Sequence, residues 1–229
     1  MNIPLNVWEK YRDTLKRVNK TAFDDMLNFL QQIGGYGGHE QEVIEYAYAL
    51  ATQYGEAAAA CACEMYDAVA KASGVIVPPA EPAATATYTE TAIAVRGSAK
   101  QSEQVIPSAV SRLTKMAGAD TTLKNAARDG AQFAWIPFGD TCAFCRMLAS
   151  RGWQNISKRT LRNGHAEHIH GNCDCQYATS FTGGSEYKFY DPEQYLGEYE
   201  QALQHSEDGK WKGALNVMRR EDYARKNND

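Results

Sequence analysis

Hydrophobic positions recur at helical spacing through the N-terminal part of the chain. In residues 5–33 and again in residues 40–72, apolar side chains return every three or four positions, which is the spacing of one face of an α-helix. The glycine-rich residues 34–38 separate the two runs, as glycine commonly follows the last turn of a helix. The sequence therefore predicts two long helices. The many alanines of the second helix would let another helix approach closely.

Residues 73–97 have a different pattern. Proline occupies positions 78, 79 and 82, and proline is incompatible with a helix interior. The alanine and threonine residues that follow carry few charges and show no clear period. We interpret this segment as an Ala/Thr/Pro linker or exposed arm of the kind that becomes ordered against a partner.

The remaining pattern predicts short, mixed elements. We expect a helix over 98–116 that is interrupted near Pro107, a shorter helix over 119–132, a strand at 133–137 and a brief helix over 146–152. The mixture of helices and a strand predicts a small α+β unit.

The pattern of the C-terminal part predicts a strand followed by two helices. Tyr187 to Tyr190 is apolar and strand-like, and Asp191 followed by Pro192 is a typical helix start. A last amphipathic helix covers 211–223, and residues 225–229 should fray.

Composition and charge restrict the class of protein. The chain has 229 residues, of which 44% are hydrophobic and 23% charged, close to the average of soluble globular proteins. The sequence predicts neither a transmembrane helix nor a signal peptide, and therefore no membrane partner. A net charge of −4 and a pI near 5.8 disfavour a globally basic nucleic-acid binder.

Six cysteines provide the candidate chemistry. We interpret Cys61 and Cys63 as small residues of the second helix. Positions two apart point to different helix faces, so the two cysteines are poor joint ligands for one metal ion. The other four lie near several histidines, and a C-x-x-C pair followed by further Cys and His is typical of zinc. Our preferred structural Zn²⁺ ligands are Cys142, Cys145, His170 and Cys173. Cys175 is the alternative to either of the last two.

Other interpretations of the cluster remain open. The thiols could be reduced and metal-free, or two of them could form a disulfide. His165 and Glu167 near the cysteines resemble parts of a zinc deaminase site, but in reversed order. A metal-dependent nuclease finger would use His168 or His170 to activate water, although its usual later Asn and His are missing. We assign no catalytic residue and no other cofactor.

A local basic patch is the only indication of contact with nucleic acid. Its residues would touch phosphate groups of packaged DNA despite the acidic average, although a solvated surface explains them more simply. The patch consists of Arg146, Arg151, Lys158, Arg159 and Arg162.

The segment Ile136-Pro-Phe-Gly-Asp-Thr-Cys-Ala-Phe-Cys-Arg-Met-Leu-Ala-Ser-Arg-Gly152, closed by His170-Gly-Asn-Cys-Asp-Cys175, resembles a known family. It is similar to tailed-phage minor head proteins, the Mu F-like head-morphogenesis family, in the form found in phages and prophages of Gram-positive bacteria. The match covers about forty residues, 136–176. The loop at 153–167 shows no family pattern. The resemblance also assigns no role to His165 in this loop or to His168 beyond it.

The resemblance implies a virion component. Such proteins act at the portal vertex during procapsid assembly, lie inside the head near the portal, and occur in the host cytoplasm during assembly. Their implied partners are the portal protein and capsid or scaffold proteins. We expect no enzymatic activity. The alternatives are a zinc-dependent hydrolase, either a nuclease or a maturation protease, and a phage-borne effector directed at the host.

Together these observations predict a mainly α protein. Long N-terminal helices would precede a small α+β zinc-stapled core and a helical C-terminal tail. The predicted units are a helical hairpin (1–72), the linker or arm (73–97), the Mu F-like core with its Cys/His cluster (98–180), and the tail (181–229).

Overall fold

The structure, a computed structural model, describes residues 2–138, 141–156, 169 and 175–226. Seven α-helices, one 3₁₀ turn and three strands lie in these ranges. They are α1 (Leu5–Ile33), α2 (Glu40–Ser73), α3 (Tyr88–Ala99), the 3₁₀ turn (Glu103–Val105), α4 (Ile106–Asp129), β1 (Gln132–Ile136), α5 (Ala143–Ala149), β2 (Gln154–Asn155), β3 (Gln176–Ser180), α6 (Pro192–Gln204) and α7 (Trp211–Lys226).

The two long N-terminal helices confirm the prediction almost residue for residue. Helix α1 ends where Gly34 adopts a left-handed conformation with φ of 82°, and its N–H bonds to the carbonyl of Leu30. A side chain at position 34 would be strained in this conformation, so glycine ends the helix here. Helix α2 ends in the same way at Gly74.

Helices α2 and α4 pack at close range through small residues. A Cβ atom added to Gly118 would lie 3.3 Å from the carbonyl oxygen of Ala58 and 3.6 Å from its Cβ. The alanines of α2 thus permit the close helix approach that the sequence predicted, and α4 is the partner helix.

We expect Gly118→Val to destabilise the protein by about 1–3 kcal/mol, because the branched side chain must displace the backbone of α2. Gly97→Val is the matched control. That glycine also lies in a helix, but an added Cβ would meet no atom within 4 Å. Urea unfolding of the two variants measures the difference. Equal stability would show that the α2–α4 contact can relax without cost.

The segment between α2 and α3 is attached to the fold by hydrogen bonds. The Asn125 amide exchanges two hydrogen bonds with the backbone of Glu81, and the Arg128 guanidinium donates to the carbonyls of Pro78 and Pro79. We call residues 74–87 the strap. The expectation of an arm that needs a partner for order does not describe the strap, since side chains of α4 provide the bonds that its own backbone lacks.

Two further expectations are corrected in this region. Residues 88–99 form α3 rather than a linker, because Thr87 and Glu90 make a capping box at its start. Helix α4 is continuous, with Pro107 in its first turn, where proline costs no hydrogen bond. The predicted interruption and the separate helix at 119–132 were therefore wrong. The division of the chain into four units stays a prediction.

Arg128, which anchors the strap, also pairs with the Asp129 carboxylate at 2.8 Å. The hydrogen-bonded Arg128 guanidinium, followed by the Tyr66 hydroxyl, holds the pKa of Asp129 below its usual value. A lowered folded-state pKa stabilises the protein above the unfolded-state pKa, and this contribution is lost as pH falls through the folded-state pKa.

We therefore expect acidification from about pH 6 to about pH 3, a range that spans the ordinary Asp pKa, to destabilise wild type more than Asp129→Asn. Urea unfolding at the two pH values tests this expectation. Equal losses would contradict a role for the Asp129 carboxylate.

The three-stranded sheet lies between two layers of helices. Its order is β2-β1-β3, with β1 antiparallel to both neighbours. On one face Phe133, Trp135 and Tyr177 pack against α4, α5, α6 and α7. On the other face Ala134 and Ala178 pack against α1 and α2. Both faces are buried, so the sheet joins the N-terminal and C-terminal helices.

The pattern predicted only part of this sheet. Strand β1 confirms the expected strand at 133–137, but β3 lies in a segment for which no strand was expected. Residues 187–190 form turns instead of the predicted strand. Their aromatic side chains pack around Trp8 of α1, which explains the apolar composition. Helix α6 begins as predicted, with Asp191 as its N-cap.

Candidate metal centre and neighbouring surfaces

Two of the predicted metal ligands meet beside the sheet. Cys145 lies in α5 and is completely buried, and Cys175 directly precedes β3. Because β3 pairs with β1 and α5 follows β1, the two cysteines are brought to the same end of the sheet. The Cys175 thiol donates to the Cys145 sulfur at 3.1 Å.

This sulfur–sulfur distance fits a pair of thiolate ligands after a small adjustment. Two sulfurs about 2.3 Å from one tetrahedral zinc ion lie about 3.8 Å apart. A disulfide requires about 2.05 Å. To bind one metal ion, the two sulfurs would therefore move apart by roughly 0.7 Å, whereas to form a disulfide they would move about 1 Å closer.

Cys142 is the third predicted ligand in the described residues. It occupies the N-cap position of α5 and is half-buried. His170 and Cys173 lie outside the described residues, as do His165, Glu167 and His168. Among the residues that the structure describes, no three His, Cys, Asp or Glu side chains form a metal-binding group. The zinc site stays a prediction.

The two cysteines of α2 were not among the predicted metal ligands. Burial raises the pKa of the Cys61 thiol to about 11 and also raises the pKa of Cys63. A thiol with a raised pKa is protonated near neutral pH and is a poor metal ligand and nucleophile. This fits their interpretation as small helix residues.

The environment of the thiol pair is apolar and aromatic. Cys175 packs against the cluster that holds Phe133, Trp135 and Tyr177, and Cys145 is completely buried. Burial, with smaller contributions from the two thiols, raises the pKa of Tyr177 well above its ordinary value, so its hydroxyl stays protonated. The surroundings therefore shield Cys145 from solvent, whereas Cys175 is only partly buried.

Arg146 fixes the helix that carries Cys145. Its guanidinium donates to Glu198 of α6 at 3.2 Å and to both carboxylate oxygens of Asp222 in α7 at 2.7 Å. Only 14% of the Arg146 side chain is exposed. These contacts join three helices through one side chain, and they position α5 against the sheet.

The predicted basic patch is accordingly smaller than expected. Arg146 does not present its charge to solvent, because two carboxylates neutralise it. Arg151 is exposed, and Lys158, Arg159 and Arg162 lie outside the described residues. Contact with packaged DNA stays an expectation.

A groove of about 420 Å³ opens beside α5 and between α6 and α7. We call it the α5–α7 groove. It is lined by Phe144, Met147, Ser150, Arg151, Leu196, Tyr199 and Trp211. The sequence analysis did not identify it. The available signal in the sequence was a tryptophan, Trp211, at the start of the last amphipathic helix, since tryptophan is enriched at protein interfaces.

A larger groove of about 800 Å³ lies between α2 and the strap. Alanine is the commonest residue of its walls, which also include Tyr48 and Tyr88 with their rings 5.5 Å apart. Both grooves are open surface features. Within the described ranges, no helix is long and apolar enough to cross a membrane.

These features define a mainly helical protein that encloses a small sheet, with one thiol pair at the end of that sheet and open grooves on its surface. The chain belongs to the VG15 protein family, whose family model matches residues 2–202. The family indicates a viral protein of phage origin. Neither curated proteins nor solved structures gave a match.

Proposed function

We propose that this phage protein is a minor capsid, or head-morphogenesis, protein that acts at the portal vertex during procapsid assembly. The observation that carries the proposal is the family match over residues 2–202. The resemblance of residues 136–176 to Mu F-like minor head proteins narrows the role. The protein would reside inside the head near the portal, contact portal, capsid or scaffold proteins, and perform no catalysis.

The architecture is consistent with such a role. Long helices cross through small residues, and one sheet with two buried faces joins the N-terminal and C-terminal helices. This construction gives a rigid body with exposed grooves, which suits protein–protein contact.

The test is assembly of the phage itself. We expect tagged protein to co-purify with procapsids and with isolated portal, in far fewer copies than the major capsid protein. We expect deletion of the gene to yield heads that are defective or not infectious. Normal infectious heads without the protein, and its absence from purified particles, would contradict the proposal.

We also propose that the cysteine cluster binds one structural Zn²⁺. The approach of Cys145 and Cys175 supports this proposal, because their thiols supply two soft ligands at nearly the required separation. Cys142 is close in sequence, and His170 or Cys173 would complete the site. Bound zinc would hold the end of the sheet to α5 and add stability to both.

Metal analysis of protein purified without chelator tests the site. We expect about one zinc per chain. Cys145→Ser combined with Cys175→Ser should lose the metal and lower the Tm, whereas Cys61→Ser combined with Cys63→Ser should retain the metal. Spectroscopy of a cobalt-substituted sample would distinguish four protein ligands from three and a water, the latter indicating a hydrolase. A metal-free wild type, as stable as the first double variant, would refute the site.

A further inference from the structure

The α5–α7 groove has the composition of a protein-binding surface. Its walls include Trp211, Tyr199 and Met147, residue types that are enriched at protein interfaces. Trp211 is 48% exposed. Tryptophan, tyrosine and arginine side chains supply a large share of the binding energy at known interfaces.

The charge of the groove selects the partner. Arg151 lies on its lining, and among the described residues its guanidinium forms no ion pair and no hydrogen bond. The nearby carboxylates of Glu198 and Asp222 are both bound by Arg146. The Lys212 ammonium lies 5.5 Å from the centre of the Trp211 ring. An apolar groove with one cation in its lining and a second cation beside Trp211 complements apolar side chains that are flanked by carboxylates.

We propose that the α5–α7 groove docks an acidic amphipathic helix of a partner protein. The groove accommodates anchoring side chains from one face of such a helix, which recur at three- and four-residue spacing. A carboxylate of the same helix pairs with Arg151. The chain carries a net charge of −4, so its overall field repels an acidic peptide, and binding requires the local cations.

This inference rests on the proposed function only for the expectation that the protein binds other proteins. The surface itself is tested with synthetic probes and the full-length chain. One probe is a fluorescein-labelled helical peptide of about four turns with Leu on one face and Glu on the others. The second probe has Lys at each Glu position.

Fluorescence anisotropy should show that wild type binds the Glu peptide and binds the Lys peptide at least roughly tenfold more weakly. Arg151→Glu should weaken binding of the Glu peptide to a similar extent and strengthen binding of the Lys peptide. The Trp211→Ala variant should bind the Glu peptide more weakly than wild type does. Arg220→Glu, the same charge reversal at an exposed position of α7 outside the groove, should leave binding unchanged.

Three outcomes would overturn the inference. Equal binding of both peptides to wild type would indicate unspecific apolar adhesion. Equal effects of Arg151→Glu and Arg220→Glu would place the peptide elsewhere. A wild-type dimer that Trp211→Ala dissociates would make a second copy of the chain the occupant. Peptide binding with the expected charge dependence would support the inference even if the protein proved absent from heads. Co-purification with procapsids would support the proposed function even if the peptide did not bind.

Discussion

Trp8→Ala is expected to lower the free energy of unfolding by about 3–5 kcal/mol, the range measured for truncation of buried tryptophan. Trp8 is fully buried in the first turns of α1. Its ring lies 5.8 Å from that of Tyr187 in an edge-to-face arrangement and 6.0 Å from that of Phe189. Removal of the indole would leave a cavity where the N-terminal helix meets the turns before α6.

Urea unfolding provides the measurement, and Trp211→Ala provides the matched control. Trp211 is about half exposed, so its loss should cost less than about 1 kcal/mol. The two variants remove the same side chain from a buried and an exposed position. Similar unfolding free energies for both would show that Trp8 is not part of a tightly packed core.

Arg146→Met is expected to destabilise the protein by about 2–4 kcal/mol. The estimate lies near the lower part of the range for a broken buried ion pair, because Glu198 and Asp222 are both close to one third exposed. Methionine keeps much of the apolar stem of arginine but leaves the two carboxylates without their cation. Helices α6 and α7 would lose their shared attachment to α5.

A further variant separates charge from packing. If unpaired carboxylates cause the loss, then Arg146→Met combined with Glu198→Gln and Asp222→Asn should recover a large part of the stability. Arg220→Met, at an exposed position of α7, should change stability by no more than about 0.5 kcal/mol. Failure of the combined variant to recover would assign the role of Arg146 to packing of its stem.

The sequence predicted the long helices because their determinants are local. Helical periodicity, the glycine at each C-terminus and the Asp191 cap act within a few neighbouring residues. Arg12, a polar residue of α1, is accommodated in the fold because its guanidinium packs 3.0 Å from the centre of the Phe138 ring. That partner lies too far along the chain for a periodicity argument to identify.

The elements that the pattern missed depend on distant residues. Strand β3 has few local signals, and its pairing with β1 defines it. The strap lacks regular structure, yet Asn125 and Arg128 of α4 order it through side-chain bonds to its backbone. The apolar run at 187–190 resembled a strand, but its aromatic side chains surround Trp8.

The candidate metal site was likewise predicted only in part from the sequence. The C-x-x-C spacing predicted Cys142 and Cys145 as metal ligands, and the sequence placed Cys175 in the same cluster. Only the antiparallel pairing of β1 with β3 explains why Cys145 and Cys175 meet. No sequence pattern indicated that Arg146 would be neutralised by Glu198 and Asp222, which leaves Arg151 to determine the charge of the α5–α7 groove.

The sequence by itself determined the mainly helical class, the bounds of α1 and α2, and the cysteines that could hold a metal ion. The tertiary structure decided that the sheet has two buried faces, that the strap lies on α4, and that α5, α6 and α7 enclose a groove. The physical reason is the range of the interactions. Caps and helical periodicity act over a few residues, whereas strand pairing, buried ion pairs and groove walls join side chains that only the folded chain brings together.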